Sequence, residues 1–384
     1  MKHDQTSGIF FKLSAMGAAM ALLALSTPAT ARSPSAAQLQ KWCYADDDGS
    51  SEDQRITGCS AVLKADPNDV HALANRGEMF RRKGDAERAL ADFNRAIDLD
   101  PKDSDLWYNR GIAYDDLGDK DHAIADYTRA IRLNARDALY YNNRGNSLID
   151  KNEYERAMAD YDQAIKLDPK FALAYFNRGT AYRDHHQDDR ALADFDLSIK
   201  LDPNYGPAYG NRARVFRDRG DRPRALADFA KSLQLSPNND RDFYARGNMY
   251  FDTHEYALAL EDYDRSIKAN GNRADVFNSR CFTRAILGRL EAALADCDQS
   301  LRMAPNPDTL DSRALAHLKL GNLDAAIADY DAALGTKPQL DSSLYGRGLA
   351  KRKKGDNDGA ERDIAAARTI NAGIADVFAH YGAD

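Results

Sequence analysis

A period of 34 residues runs through this chain and limits what it can fold into more than any local feature does. Val70 to Asp103 carries Asn75-Arg76-Gly77 early and Ala89-Leu90-Ala91-Asp92-Phe93 later. The first triplet returns at Asn109-Arg110-Gly111, Asn143-Arg144-Gly145 and Asn177-Arg178-Gly179, and the second motif at Ala123–Tyr127, Ala157–Tyr161, Ala191–Phe195 and Ala225–Phe229. A fixed internal period of this size is the signature of a stacked-repeat architecture, in which each unit contacts only its neighbours. Copies start at Val70, Ser104, Ala138, Ala172, Gly206, Asp240, Ala274, Pro307 and Asp341, and the eighth is one residue short.

Each copy reads as two helices. In the third, Tyr141, Gly145 and Leu148 fall on one stripe at helical spacing, Lys151-Asn152-Glu153 makes a turn, and Ala157, Tyr161 and Ala164 form a second stripe. Asp168-Pro169 then stops the second helix, because proline cannot continue it. Two short amphipathic helices must bury their apolar faces against each other and against the next pair. Gly145 lets the two axes approach, and Tyr161 fills the space opposite.

Trp107, Gly111, Tyr114, Ala123, Tyr127 and Ala130 in the second copy, and Tyr175, Gly179, Tyr182, Ala191, Phe195 and Ser198 in the fourth, resemble the tetratricopeptide repeat (TPR) family, in its exported bacterial form. The resemblance covers nearly the whole chain after its leader. It implies an all-α fold, a right-handed superhelical solenoid of antiparallel helix pairs with a concave groove. Departures gather late: the aromatic facing the second helix becomes Arg284, His317 and Lys351 in the last three copies, where looser packing or outward-turned side chains are expected. Ala135 and Gly271 stand where proline usually ends the second helix.

The ends differ from the array. Residues 1–31 have the layout of a cleavable signal peptide: Lys2 and Lys12, an apolar run from Leu13 to Leu25, and small residues Ala29-Thr30-Ala31 for cleavage. The run is shorter than the roughly 20 apolar residues of a membrane span. A periplasmic or secreted protein without membrane insertion after cleavage is expected. Residues 32–36 are a linker, 37–69 a degenerate first copy, 70–374 the nine clean copies, and 375–384 a closing helix and tail with Phe378 turned inward. A formal charge of −7 gives no general attraction to nucleic acid.

One pair recurs in all nine clean copies, from Arg76/Asp92 and Arg110/Asp126 through to Arg347/Asp363, always at facing positions of the hairpin. A bidentate contact there would fix the hairpin's register. A second row is formed by Asn75, Asn109, Asn143, Asn177 and Asn211; it ends at Ala245, Ser279, Ser312 and Gly346 while the scaffold continues. The TPR resemblance implies that this row lines the groove and grips an extended peptide, as a side-chain amide both donates and accepts. The alternative is a helix cap or an inter-helix hydrogen bond. Companion groove positions are Tyr108, Asn142, Asn146, Phe176, Thr180, Arg183, Arg214 and Arg217.

Cys43/Cys59 and Cys281/Cys297 share one spacing and fall where other copies place a glycine and an aromatic that meet across the hairpin. A small residue grows while a large one shrinks, as a disulfide requires, and export supplies an oxidising compartment. His185-His186 with Asp184, Asp188 and Asp189 lies at a hairpin turn and is read as polar turn sequence rather than a metal site. No nucleophile, metal-protease or phosphate-loop motif occurs, so no catalytic residue or cofactor is assigned. The expected function is a non-enzymatic scaffold binding an extended polypeptide in the groove. The alternative is a structural part of an envelope secretion or polysaccharide-export complex, using the convex face or the array's ends.

Overall fold

The computed structural model describes residues 34–45 and 49–383, so the expected signal peptide (1–31) and the centre of the acidic loop (46–48) lie outside the described residues. The described residues form 21 helices and no strand. The chain divides after Leu99 into two compact units. The first contains two helical hairpins, Ala36–Tyr44 with Glu52–Ala65 and Val70–Arg82 with Ala86–Leu99. The second contains eight hairpins and a final short helix, Ile374–His380.

The first helices of the nine clean copies begin at Val70, Ser104, Ala138, Ala172, Gly206, Asp240, Ala274, Pro307 and Asp341. Helix Pro307–Leu320 follows Met303 after three linking residues, where its counterparts follow after four, so the missing residue falls in the loop that closes the seventh copy and the eighth is of full length. Between the helices of each hairpin one residue adopts the left-handed conformation. Glycine holds it at Gly84, Gly118, Gly220, Gly288, Gly321 and Gly355, while Asn152, His186 and His254 take it with φ of 60°, 56° and 62°. Such a residue closes the helix by returning amides to its last carbonyls; Gly118 and Asp119 donate to Asp115 and Tyr114. His186 therefore sits at a turn position.

Helices Lys120–Leu133 and Tyr256–Ala269 end without a following proline. Asn134 accepts from the Arg136 amide at 3.1 Å and Asn270 from the Asn272 amide at 3.1 Å, the turn Asp168 makes with the Lys170 amide at 2.9 Å. A side-chain acceptor thus stops these helices, with or without proline.

Each hairpin closes over one buried residue of its second helix: Phe93, Tyr127, Tyr161, Phe195, Phe229, Tyr263, Cys297, Tyr330 and Ile364 in turn. Burying an aromatic of this kind contributes roughly 1.5–3 kcal/mol. The facing glycine is required by contact: a Cβ on Gly145 would stand 2.7 Å from the Tyr161 ring, and one on Gly111 2.7 Å from Tyr127. In the seventh copy the same two positions are Cys281 and Cys297, bonded at 2.02 Å with Cα atoms 5.4 Å apart, and Cys43 and Cys59 join the first hairpin in the same manner.

The arginine–aspartate pair is bidentate in all nine copies, with N–O distances of 2.6–2.8 Å. In most copies the third guanidinium nitrogen reaches back to the preceding hairpin: Arg144 to Thr128, Arg178 to Asp162, Arg212 to Asp196, Arg280 to Asp264, Arg313 to Asp298 and Arg347 to Asp331. One side chain sets the register within a hairpin and fastens that hairpin to its predecessor.

The late departures do not loosen the array or turn outward. In earlier copies the arginine packs beside an aromatic, as Arg178 does at 5.8 Å from Tyr182 and Arg212 at 5.8 Å from Phe216. Arg284 instead donates to Asp296 at 2.6 Å and Lys351 to Asp363 at 2.8 Å, each adding a second cation to the repeat's own aspartate. His317 approaches Asp329 at 4.0 Å, and burial holds its imidazole below the ordinary pKa range. In the Arg284 and Lys351 copies an ion pair has taken the place of a ring contact.

Within the second unit, successive first helices touch one another, while successive second helices make at most marginal contact. The first helices therefore form the inner curve. The final helix packs on helix Asp341–Lys354, with the Phe378 ring 4.9 Å from Tyr345 and only 2% exposed. Its end turns back across earlier repeats. Tyr381 meets Phe282 edge-on at 5.2 Å, Lys319 donates to the Tyr381 carbonyl at 2.5 Å, and the Tyr256 hydroxyl lies 2.9 Å from His380. No helix among the described residues is long and apolar enough to cross a membrane.

Candidate protein-interaction face

The asparagine row lies on first helices, Asn75 in the first unit and the other four in the second. Most of these amides already serve the array. Asn75 donates to the Cys43 carbonyl at 3.0 Å, Asn143 to the Tyr108 hydroxyl at 2.9 Å, and Asn177 to Asn142 Oδ1 at 2.9 Å. Asn211 donates to the Pro207 carbonyl at 2.9 Å and accepts from Arg183. Among the described residues Asn109 makes no side-chain hydrogen bond. Each donating amide uses one of its two N–H groups, so the row retains capacity toward a ligand, but it also acts as an inter-repeat tie.

Two of these ties share one geometry. The residue just before the asparagine, at Tyr108 or Asn142, accepts from the asparagine of the next repeat. Tyr244 and Ser279 occupy the same two positions with hydroxyls 3.4 Å apart. Asn142 is consequently fully buried, and the structure removes it from the groove-lining set. The row's end has a local cause in the ninth copy: a Cβ on Gly346 would collide with the Tyr330 hydroxyl, so no asparagine fits there.

The remaining expected groove residues are half-buried on the inner side, Arg217 being exposed. Tyr108 packs against Tyr140 with ring centroids 4.9 Å apart, and Phe176 meets Tyr205 edge-on at 5.0 Å. Asn146 accepts from the Tyr161 hydroxyl at 2.8 Å, and the Thr180 hydroxyl turns back to the Phe176 carbonyl at 2.9 Å. Arg183 pairs with Asp184, and Arg217 with Asp218 at 2.8 Å.

Arg214 is anchored from below by Asp242 at 2.5 Å. That carboxylate is fully buried and also accepts from Ser232 and Asn239 at 2.6 and 2.9 Å. Burial, with Arg183 and Arg217 close by, pulls the Arg214 guanidinium below its ordinary range against the pull of Asp242. Arg214 and Arg217 open onto a hollow of about 530 Å³ whose walls also carry Arg241, Arg273, Tyr244 and Asn248. Asp240, its carboxylate, pairs with Arg273 at 3.3 Å. Arg241 is exposed and makes no ion pair among the described residues. The site therefore gathers four guanidinium groups, a tyrosine and two amides, Asn248 and Asn270, a set that binds carboxylates.

Sequence reasoning found Arg214 and Arg217 and missed Arg241, Arg273, Tyr244 and Asn248. A signal existed for two of them: Tyr244 occupies the repeat position of Tyr108, and Asn248 that of Asn146. Arg241 and Arg273 sit near the starts of first helices, positions that no stripe marks.

Stacked helical hairpins with a polar inner face define a class, the α-helical repeat proteins, whose surface is a continuous ledge rather than an enclosed cleft. The chain belongs to the tetratricopeptide repeat family: models described as TPR repeat or tetratricopeptide repeat match residues 77–118 and 145–185, 104–137, 172–205, and 211–275, 285–341 and 312–373. Arrays of this family are generally non-enzymatic interaction scaffolds. No curated protein matches the chain. Among solved structures it is similar to PilW, described as a widely conserved type IV pilus biogenesis factor, with 23% identity over 52% of this chain and 93% of that one and a TM-score of 0.48. It is similar also to a tetratricopeptide repeat protein from Parabacteroides merdae (21% identity, 64% and 98% of the two chains, TM-score 0.48). A third is YrrB, described as a TPR protein with an unusual peptide-binding site (20%, 49% and 97%, TM-score 0.39).

Proposed function

We propose that this protein is an exported, non-enzymatic scaffold that holds an extended, carboxylate-bearing polypeptide segment along the first-helix face of its second unit. The observation that carries this reading is the hollow formed by Arg214, Arg217, Arg241 and Arg273 beside Tyr244 and Asn248. Four cations stand there with one carboxylate among the hollow's walls, in a chain whose overall charge is negative. Asn109, unengaged on the same row of first helices, and the spare N–H groups of Asn143 and Asn177 are placed to take main-chain carbonyls. Export is supported by the leader's composition and by both cysteine pairs standing at bonding distance, an arrangement suited to an oxidising compartment. Cleavage near Ala31 would release the array into the periplasm or beyond.

The test is affinity capture from envelope extracts with the native exported form, followed by Arg217→Glu with Arg241→Glu. Both side chains are exposed, so the melting temperature should hold while the captured partner is lost. A stoichiometric partner that ignores both substitutions would overturn the groove reading and place the contact on the convex face or the array's ends, as a structural role in an envelope assembly requires.

A further inference from the structure

At two adjacent rungs the acceptor of the inter-repeat tie is present but its donor is missing. Asn278 and Asp311 occupy the position of Tyr108 and Asn142, whose acceptors receive a donor from the next repeat. The donor for Asn278 would be Ser312, but its hydroxyl turns back to the Asp308 carbonyl at 2.9 Å. Asn278 Oδ1 is left buried and without a partner among the described residues. The donor for Asp311 would come from position 346, which is glycine. Asp311 instead accepts from the Ser342 and Ser343 hydroxyls at 2.9 and 2.5 Å. No cation pairs with it among the described residues; Asp308, which lines a common hollow with it, is held by Lys337 at 2.7 Å.

Asn278 and Asp311 both line one hollow of about 280 Å³, whose apolar walls include Phe251, Phe282 and Leu340. This is just below the usual range for drug-sized ligands and suits a single long side chain. Two rings beside an uncompensated carboxylate favour a cation carried on an apolar stem. An ammonium has three donors, close to the number of free acceptors here, whereas a guanidinium would leave surplus N–H groups against the phenyl rings at a cost. Burial pushes the Asp311 carboxyl up to about 6, with Asp308 and Asp341 adding to the rise against the Ser343 and Ser342 hydroxyls; a bound cation would relieve that penalty.

We propose that the hollow bounded by Asn278, Asp311, Phe251 and Phe282 is a recognition pocket for a lysine side chain of the bound polypeptide. It adjoins the arginine hollow through Asn248, which lines both. The favoured segment therefore carries a carboxylate and a lysine in neighbouring positions. This rests on the polypeptide-groove reading, but the pocket's chemistry can be tested without that reading.

The experiment titrates the mature chain, followed by NMR or calorimetry, with three probes: a blocked pentapeptide Ala-Ala-Lys-Ala-Ala, its norleucine counterpart and free cadaverine. The lysine peptide should bind more tightly than the norleucine peptide by about tenfold, the size of a charge-assisted hydrogen bond. Asp311→Asn should abolish the difference. Asn278→Leu, which fills the hollow without touching the carboxylate, should do the same if the first variant folds poorly. Equal binding of the two peptides, or a preference that survives both variants, overturns the proposal. Cadaverine binding that depends on Asp311 while the lysine peptide fails to bind overturns the side-chain occupant in favour of a free amine. If none of the probes binds, the pocket is refuted while the capture experiment above still stands.

Discussion

If Asp311 is a charge held in readiness, removing it should stabilise the empty protein. Its carboxylate has Ser342 and Ser343 as donors from helix Asp341–Lys354, with Asp341 beside them, Asp308 on its own helix, and the Tyr330 and Tyr381 hydroxyls facing it from the second helix and the tail. None of these is a cation. Burial raises the carboxyl from 3.8 to about 6, so the folded state binds this proton more tightly than the unfolded chain does. Stability contributed by this group is present in full below the unfolded value and is lost as pH rises through about 6. At about 1.36 kcal/mol per tenfold change in proton affinity, the difference amounts to about 3 kcal/mol near neutrality. Partial solvent access trims that to about 2–3 kcal/mol.

Asp311→Asn removes the charge and keeps a carbonyl for one serine. Because an array opens locally, the suitable assay is amide hydrogen exchange of helices Pro307–Leu320 and Asp341–Lys354, compared between variant and parent. Their opening free energy should rise by about 2–3 kcal/mol at pH 7.5, with the gain fading as pH falls toward 4. A variant less stable than the parent at pH 7.5, or a gain independent of pH, would refute the reasoning: the carboxylate would then be a structural asset.

Other expectations concern the scaffold and the row of amides. Tyr161→Ala should cost roughly 3–5 kcal/mol in the third repeat, and Gly145→Ala should also destabilise, since the new methyl would stand 2.7 Å from the same ring; exchange rates of helix Tyr154–Leu167 report both. Replacing Cys281 and Cys297 together by serine should lower stability by about 3 kcal/mol, the size expected for a closed loop of this length, and mass spectrometry of unreduced protein should detect no free thiol. Asn109→Ala should leave the melting curve unchanged while weakening partner binding, whereas Asn143→Ala should cost about 1 kcal/mol as the Tyr108 hydroxyl loses its donor. Equal thermal shifts for the two would show that Asn109 is also a tie.

The sequence by itself determined whatever repeats inside one hairpin. The bidentate pairing of Arg144 with Asp160, the match of Gly145 to Tyr161 and the approach of Cys281 to Cys297 all join residues 16 apart. A single turn fixes that geometry, so spacing alone reveals it. The tertiary structure decided everything that depends on how one hairpin sits on the next. It buried Asn142 beneath Asn177, gave Arg284 and Lys351 to the aspartates of the ladder, and brought Tyr381 to Lys319 across 62 residues. It also left Asn278 and Asp311 without the donor from the next repeat that Tyr108 and Asn142 receive. Whether such a side chain becomes a tie or a site is set by the curvature of the array and by the identity of a residue one repeat away. Neither is encoded in the helical stripe on which the side chain lies.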